Sequence, residues 1–321
     1  MSTLLMLPPQ NPTTRQWAKR LAAAVPALKV VVAEDAAEAA RMIGDADAAY
    51  GTLPRELTAH AARLRWLQAP QAAPPAGYYY PELIAHPVQI TNFREIYNDH
   101  IGAHVMAFVL AFARGMHVYL PQQQRREWKK LPPDSGVVHL PEATALVVGV
   151  GGIGSEVARL ASAFGMRVIG IDERRPSPPP GVTELHRAAA LDELLPRADF
   201  VILTVPHTPE TEGFMNRARF RRMKRSAFFI NIGRGMTTRL DDLAAALKAG
   251  EIAGAGLDVF EREPLPADHP LWTTPGVLIT PHTAGYGPYL DERRFEVMAD
   301  NCRRFLAGQE LRNVVDKSRW F

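Results

Sequence analysis

Val147-Val148-Gly149-Val150-Gly151-Gly152-Ile153-Gly154 is the stretch on which the reading of this 321-residue chain turns. Gly149, Gly151 and Gly154 fall on the spacing G-x-G-x-x-G, which by itself is a weak signal. Its context strengthens it. An apolar strand-like run, Thr144 to Val150, leads into the turn, helical spacing follows from Ile153 to Phe164, and a second apolar run, Arg167 to Asp172, ends on an acid. In such a unit the turn holds the pyrophosphate of a dinucleotide. Gly149 permits the tight turn, Gly151 the approach of the phosphates, and Gly154 the close packing of helix on strand. Gly152 and Ile153 open the helix, whose N-terminal N–H groups and partial positive charge face the phosphates. A tight turn without a ligand is the bland alternative. Asp172 stands where an acid binds the ribose hydroxyls, which favours NAD because a carboxylate repels a 2′-phosphate. Arg174 and Arg175 pull the other way: a guanidinium there would receive that phosphate and admit NADP, stack on adenine, or belong to a solvated pair of loop charges.

Outward from the turn, short apolar runs alternate with helical spacing. Downstream, Phe200 to Val205, Ala227 to Asn231, Ala253 to Asp258 and Val277 to Thr280 read as strands, and Leu240 to Ala249 as a helix stopped by Gly250. Strands this continuously apolar have both faces covered. Upstream, Leu4 to Leu7, Lys29 to Ala33, Ala46 to Tyr50, Leu64 to Gln68 and Val88 to Thr91 read as strands. Arg15 to Ala24, Ala36 to Ile43 and Glu56 to Ala62 read as helices between them. This alternation predicts an α/β protein with two doubly wound parallel-sheet domains. A long helix is expected from Asn98 to Tyr119, ended by Pro121. A polar surface excursion follows from Gln122 to Pro141, and a final helix spans 288–307 before the tail Trp320-Phe321. Residues 99–284 are assigned to the dinucleotide-binding domain, and 1–98 with 285–321 to a discontinuous substrate domain. The site is expected in a cleft between them, with hinge closure about the chain crossings near His100 and Ala284.

Composition sets limits. The apolar fraction is 47% and the net charge only +3, so no nucleic-acid or membrane partner is called for. The basic run Arg219 to Arg225 reads as a solvated helix end. Met1 to Gln10 lacks the pattern of a signal peptide, Ile101 to Ala113 is too short for a bilayer span, and a cytoplasmic location is expected. The single cysteine, Cys302, cannot form an internal disulfide. It reads as an ordinary half-buried helix residue, or as a thiolate helped by Arg303 and Arg304. No metal is called for.

Three further loops carry the chemistry: Asn231-Ile232-Gly233-Arg234-Gly235, Phe260-Glu261-Arg262-Glu263-Pro264 and Thr280-Pro281-His282-Thr283-Ala284-Gly285. A guanidinium pairs with a carboxylate through two parallel hydrogen bonds. An imidazole exchanges a proton near neutral pH, and a carboxylate on its second nitrogen fixes its tautomer. Together these parts hold an anionic keto acid and protonate its carbonyl oxygen as hydride arrives. Taken singly, each also reads as something plain: Arg234 as a helix-cap or phosphate contact, Glu263 as a surface acid, His282 as a turn histidine. His100 and His104 read as core or hinge histidines.

With Ala198-Asp199-Phe200-Val201-Ile202-Leu203-Thr204-Val205-Pro206-His207-Thr208-Pro209-Glu210-Thr211 and Gly256-Leu257-Asp258-Val259-Phe260-Glu261, these motifs make the chain resemble the D-isomer-specific 2-hydroxyacid dehydrogenases over nearly its whole length. The resemblance implies a Rossmann cofactor domain, a flavodoxin-like substrate domain and a homodimer. It implies that Arg234 binds substrate, His282 donates the proton and Glu263 is its partner. It further implies that Pro206, Thr211, Ile232, Asp258 and His282 line the cofactor, with Asp258 near the nicotinamide amide. The implied reaction is reversible NAD(P)-dependent reduction of a small 2-oxo acid to the D-2-hydroxy acid, of the glyoxylate/hydroxypyruvate type. A formate- or phosphite-type dehydrogenase and a dinucleotide-sensing binding protein are the rivals. One loop departs from the family pattern. Where a glycine-rich segment usually offers amides to the substrate carboxylate, residues 68–81 contain Pro70, Pro74 and Pro75 and three tyrosines. Proline has no N–H to offer. Either Gly77 and Tyr78 take over the carboxylate, or the substrate differs at its acid end, or the tyrosines only pack. Arg239 also stands where many members carry an acid.

Overall fold

The computed structural model describes residues 1–72, 77–133 and 136–319. The strands and helices, in chain order, are β1 (Ser2–Met6), α1 (Pro12–Ala24), β2 (Leu28–Val32), α2 (Ala36–Met42), β3 (Ala48–Tyr50), α3 (Arg55–Thr58), β4 (Trp66–Gln68), α4 (Pro81–Ala85), β5 (Gln89–Thr91), α5 (Asn98–Ala113), α6 (Met116–Gln124), β6 (Thr144–Val148), α7 (Gly152–Ala163), β7 (Arg167–Ile171), β8 (Glu184–His186), α8 (Leu191–Leu194), β9 (Phe200–Leu203), α9 (Arg217–Arg222), β10 (Phe228–Asn231), α10 (Leu240–Lys248), β11 (Gly254–Leu257), β12 (Val277–Ile279) and α11 (Leu290–Ala307). The chain forms two compact units, Met1–Ile96 with Pro288–Phe321, and Tyr97–Gly287.

The larger unit is built on a seven-stranded parallel sheet in the order β12-β11-β10-β9-β6-β7-β8. Apart from Thr144 and Asn231 at their ends, its central strands β6, β9 and β10 are apolar because successive side chains enter two different cores. Leu146, Val148, Val201, Leu203 and Phe229 pack with α8, α9 and α10. Ala145, Val147, Phe200, Ile202, Phe228 and Ile230 pack on the other face with α5 and α7. The smaller unit carries a five-stranded parallel sheet, β2-β1-β3-β4-β5. Leu5, Ala49, Leu67 and Ile90 share one core. An aromatic set of Trp17, Tyr50 and Phe93 and a Trp66–Phe305 pair also belong to this unit. The two sheets confirm the expected α/β, doubly wound class.

Several expectations need correction. The long helix does not run to Tyr119. It ends at Ala113, Gly115 takes a left-handed conformation (φ 69°), and α6 leaves at 74° to α5 with Pro121 inside it. A glycine at positive φ breaks the helix where the apolar pattern alone would continue it. Strand β8 has no apolar run because it is a half-exposed edge strand. Its Glu184 instead collects Arg197, Arg167 and His186, whose hydrogen bonds hold the carboxylate down at about 2. Cys302 is fully buried and its thiol is pushed up to about 12, so Arg303 does not make a thiolate of it. The basic run lies on and after α9, where Arg217 and Arg221 pair with Glu251 and Arg219 with Asp192. Among the described residues no single helix is long and apolar enough to cross a membrane. The tail residues Trp320 and Phe321 lie outside the described residues.

Candidate active site

The glycine turn joins β6 to α7. Gly149 sits at φ 94°. A Cβ on Gly154 would stand 1.9 Å from the Gly149 carbonyl oxygen, so only glycine lets the helix start this close to the strand. Gly151 is the N-cap of α7, carries no side-chain cap, and faces open space where its Cβ would be. The leading N–H groups of Gly152 and Ile153 therefore meet a place shaped for an anion. Asn98, at the start of α5, lies beside Gly152. These features fit a dinucleotide.

The carboxylate of Asp172 closes back onto this turn. Its Oδ2 accepts from Val150 N (3.0 Å), and its Oδ1 from Arg174 N (2.9 Å) and Arg175 N (3.0 Å). The Arg175 guanidinium donates to the Val150 carbonyl (2.7 Å) and to Ser155 Oγ (3.2 Å). Arg187 donates to the Asp172 carbonyl (2.8 Å). Of the two expected phosphate candidates, the structure thus engages Arg175 in bracing the turn.

Thr211 uses its hydroxyl locally. It donates to the Pro206 carbonyl (2.7 Å) and accepts from Thr208 N (2.8 Å), which rounds off the loop after β9. Ile232 is buried one residue past β10, its N–H on the Leu203 carbonyl (3.3 Å).

Arg234 is held by its neighbour Asn231. The buried Asn231 amide donates to the Arg234 carbonyl (3.2 Å), Thr237 Oγ1 (3.3 Å) and Thr238 Oγ1 (3.0 Å) and accepts from Gly233 N (3.0 Å). A Cβ on Gly235 would fall 1.8 Å from the Phe260 carbonyl carbon, so glycine there lets this loop lie against the loop that carries Glu263. Burial pushes the Arg234 guanidinium below its ordinary value, and the charge of Glu263 pulls it back up.

Glu263 spans two partners. Its Oε1 accepts from Phe260 N (3.0 Å), and its Oε2 lies 2.7 Å from His282 Nδ1. His282 takes a left-handed backbone (φ 53°), which is uncommon for a residue with a Cβ. Its N–H donates to the Asp258 carbonyl (2.9 Å) and reaches the Thr280 carbonyl (3.1 Å). The Asp258 carboxylate, buried to 1% exposure, accepts from Thr283 N (2.8 Å) and Ala284 N (2.9 Å), the next two amides. Thr280 Oγ1 also donates to Asp258 Oδ1 (2.6 Å). His104, on α5, stands behind it with Nε2 2.9 Å from Thr280 Oγ1. Burial pushes the His104 ring below its ordinary value, opposed by Asp258. With Nδ1 turned to Glu263, His282 Nε2 is the edge left for a substrate oxygen.

The loop after β4 belongs to the smaller unit. Tyr78 is buried, and its hydroxyl donates to the Gly51 carbonyl (3.1 Å). Tyr80 donates to the Leu53 carbonyl (2.9 Å) and meets the Thr58 hydroxyl. The Tyr78 hydroxyl is therefore engaged with backbone inside this unit. Gly77 is at φ 86° with open space beside it. Of the three prolines expected to lack donors, Pro74 and Pro75 lie outside the described residues, as do Ala73 and Ala76. The Arg239 departure has a local account. Arg239 is the N-cap of α10 but its side chain makes no capping bond, and Glu261 instead accepts from the helix's first amide, Leu240 N (2.8 Å).

A family model for the D-isomer specific 2-hydroxyacid dehydrogenase NAD binding domain matches residues 106–284. The chain belongs to that family. This 2-hydroxyacid dehydrogenase is an NAD(P)-dependent oxidoreductase. It is 36% identical over 218 residues to glyoxylate/hydroxypyruvate reductase A of Yersinia enterocolitica, which covers 68% of this chain and 67% of that one. It is 38% identical over 239 residues to glyoxylate/hydroxypyruvate reductase B of Klebsiella pneumoniae, 73% of each chain. The crystal structure of the NADPH-dependent glyoxylate/hydroxypyruvate reductase of Sinorhizobium meliloti, in complex with NADP and sulfate, superposes with a TM-score of 0.80 at 29% identity over 100% of both chains.

The motifs of this dehydrogenase did not by themselves single out Asn231, Thr280 or Asn98, nor the bracing roles of His104 and Arg175. Asn231 and Thr280 sit inside quoted motifs, and a polar residue directly after an apolar strand run was the available signal.

Proposed function

We propose that the chain reduces a small 2-oxo acid, glyoxylate or hydroxypyruvate foremost, to the D-2-hydroxy acid. In this reading Arg234 pairs with the substrate carboxylate and His282 donates a proton from Nε2 to the carbonyl oxygen. Glu263 holds the ring through Nδ1. The observation that carries it is the 2.7 Å His282–Glu263 contact, with Glu263 itself pinned on the Phe260 amide and electrostatically coupled to Arg234. When bound, the nicotinamide supplies the hydride. Gly149, Gly151, Gly152, Ile153 and Gly154 would hold its pyrophosphate, Asp172 and Arg174 would meet the adenosine ribose, and Pro206, Thr211, Ile232 and Asp258 would line the remainder. On the substrate side, the backbone at Gly77 and Tyr78 is the part of the β4 loop proposed to meet the acid. The Asp172 charge supports NADH, and the NADP in the Sinorhizobium meliloti reductase supports NADPH as an alternative. We further propose a cytoplasmic homodimer.

The test is a panel of glyoxylate, hydroxypyruvate, pyruvate and phenylpyruvate, each with NADH and NADPH, with chiral analysis of the product. D-glycerate from hydroxypyruvate supports the proposal. L product, or no turnover alongside tight cofactor binding, overturns it, and the latter favours a dinucleotide sensor. Light scattering checks the dimer.

A further inference from the structure

His282, the proposed proton donor, sits in a left-handed backbone conformation that persists only where surrounding contacts over-determine it. Those contacts converge on Asp258. Its carbonyl takes His282 N–H, its Oδ1 takes Thr283 N–H, and its Oδ2 takes Ala284 N–H. The carboxylate can hold both amides only if it keeps one rotamer. Thr280 supplies that constraint with a 2.6 Å hydrogen bond to Oδ1.

A hydroxyl has one proton, and Thr280 gives it to Asp258. Thr280 Oγ1 can therefore only accept from His104 Nε2, 2.9 Å away, so the His104 ring carries its proton on Nε2. The direction of the whole chain follows: His104 N–H to Thr280, Thr280 O–H to Asp258, Asp258 to the turn after His282. Hydrogen bonds aligned in this way polarise one another. The His104 ring is oriented from behind by Phe108, edge to face at 5.0 Å and 88°, on the same helix.

Resting on the proposed role of His282 as proton donor, we propose that His104 is a positioning residue. Acting through Thr280, it fixes the Asp258 carboxylate that clamps the turn after His282, and so keeps the imidazole facing Glu263. His104 touches neither substrate nor reacting atoms in this role. What matters is an N–H at the Nε2 position.

The test compares His104→Phe, which keeps a ring against Phe108 but removes the N–H, with His104→Gln, whose amide restores a donor at similar reach. Thr280→Val breaks the next link at nearly constant volume, and Thr280→Ser keeps it. Loss of one half-buried hydrogen bond predicts a kcat about tenfold lower for His104→Phe and at least as low for Thr280→Val, with KM for cofactor and substrate changed less than about threefold. His104→Gln and Thr280→Ser recover most of kcat. The double variant His104→Phe/Thr280→Val is no slower than Thr280→Val alone. Amide hydrogen exchange reads the clamp without turnover: Thr283 and Ala284 should exchange about tenfold faster in His104→Phe and Thr280→Val than in the wild type.

Unchanged exchange and unchanged kcat in Thr280→Val would overturn the positioning role. So would a loss confined to cofactor KM or to Tm, or a His104→Gln variant as slow as His104→Phe. A wild type that turns over no 2-oxo acid sinks the functional reading instead, while the exchange arm still decides the clamp. Should His104→Phe fail to fold, the two Thr280 variants decide it.

Discussion

The loops after β10 and β12 in the larger unit and the loop after β4 in the smaller one are held by different means. In the larger unit short polar side chains, Asn231 and Asp258, turn inward and take hold of backbone. Asn231 engages the Arg234 carbonyl and the Gly233 amide, and Asp258 engages three consecutive amides from His282 to Ala284, one through its own carbonyl. The backbone beside Arg234 and His282, the residues to which the proposed chemistry is assigned, is thereby held in place. In the smaller unit Tyr78 and Tyr80 anchor the loop by burying their own rings and ending on the carbonyls of Gly51 and Leu53. A clamp that grips backbone fixes a neighbouring side chain for use. An aromatic prop fixes the loop but consumes the residue that does the fixing.

The sharpest way to break this contrast is to remove a presented side chain from one region and a prop from the other. His282→Asn should lower kcat by roughly 10²–10⁴-fold, the range for losing a positioned proton donor, with little change in Tm. Steady-state reduction of hydroxypyruvate measures it. A loss of similar size in Tyr78→Phe would mean that the β4 loop presents chemistry as well. Next in size is Gly235→Ala. The added methyl meets the Phe260 carbonyl carbon at 1.8 Å, and forcing the two loops apart should cost about 3 kcal/mol. Tm and activity should fall together, whereas a normal Tm would show that the loops do not need this closeness.

Tyr78→Phe and Tyr80→Phe sharpen the other side of the comparison. Each removes a hydrogen bond to a buried carbonyl and should destabilise the smaller unit by about 1–2 kcal/mol. Urea unfolding followed through Trp17 and Trp66 reports it, with kcat unaffected.

The smallest effect concerns pH. Burial holds the folded His104 ring below the ordinary value of 6.5. As pH falls through 6.5 the unfolded chain takes up a proton that the folded ring still refuses, so stability falls until the lower folded value is reached. The slope from this one group is at most about 1.4 kcal/mol per pH unit. His104→Gln should flatten the decline of Tm between pH 7 and 5 by that share, and an unchanged slope would remove His104 as a contributor.

Much of the architecture was legible because its causes are local. The strands β6, β9 and β10 announce themselves by apolar runs, and the glycine turn by the spacing of Gly149, Gly151 and Gly154. Where the cause is not apolar burial, the pattern is silent. Strand β8 is stabilised at a sheet edge by Glu184 and its cationic neighbours, which leaves no hydrophobic signature. The break between α5 and α6 depends on the left-handed backbone at Gly115, and a lone glycine in an apolar helix does not declare that conformation. Among the site residues, Arg234, Glu263 and His282 stand out as ionisable groups in distinctive loops. Tyr78 reads equally well as a ligand contact or a prop until its hydroxyl is found on Gly51.

From the amino-acid order alone came the two alternating series of strands and helices, the dinucleotide turn and the three residue types of the chemistry, because periodicity, glycine spacing and loop composition are properties of neighbours in the chain. Only the tertiary structure decided which edge of His282 faces Glu263, that Asp172 and Asp258 fold back onto backbone amides, and that His104 stands behind Thr280, 176 residues away in sequence. Hydrogen-bond direction depends on distance and angle between groups far apart along the chain, and no local pattern encodes it.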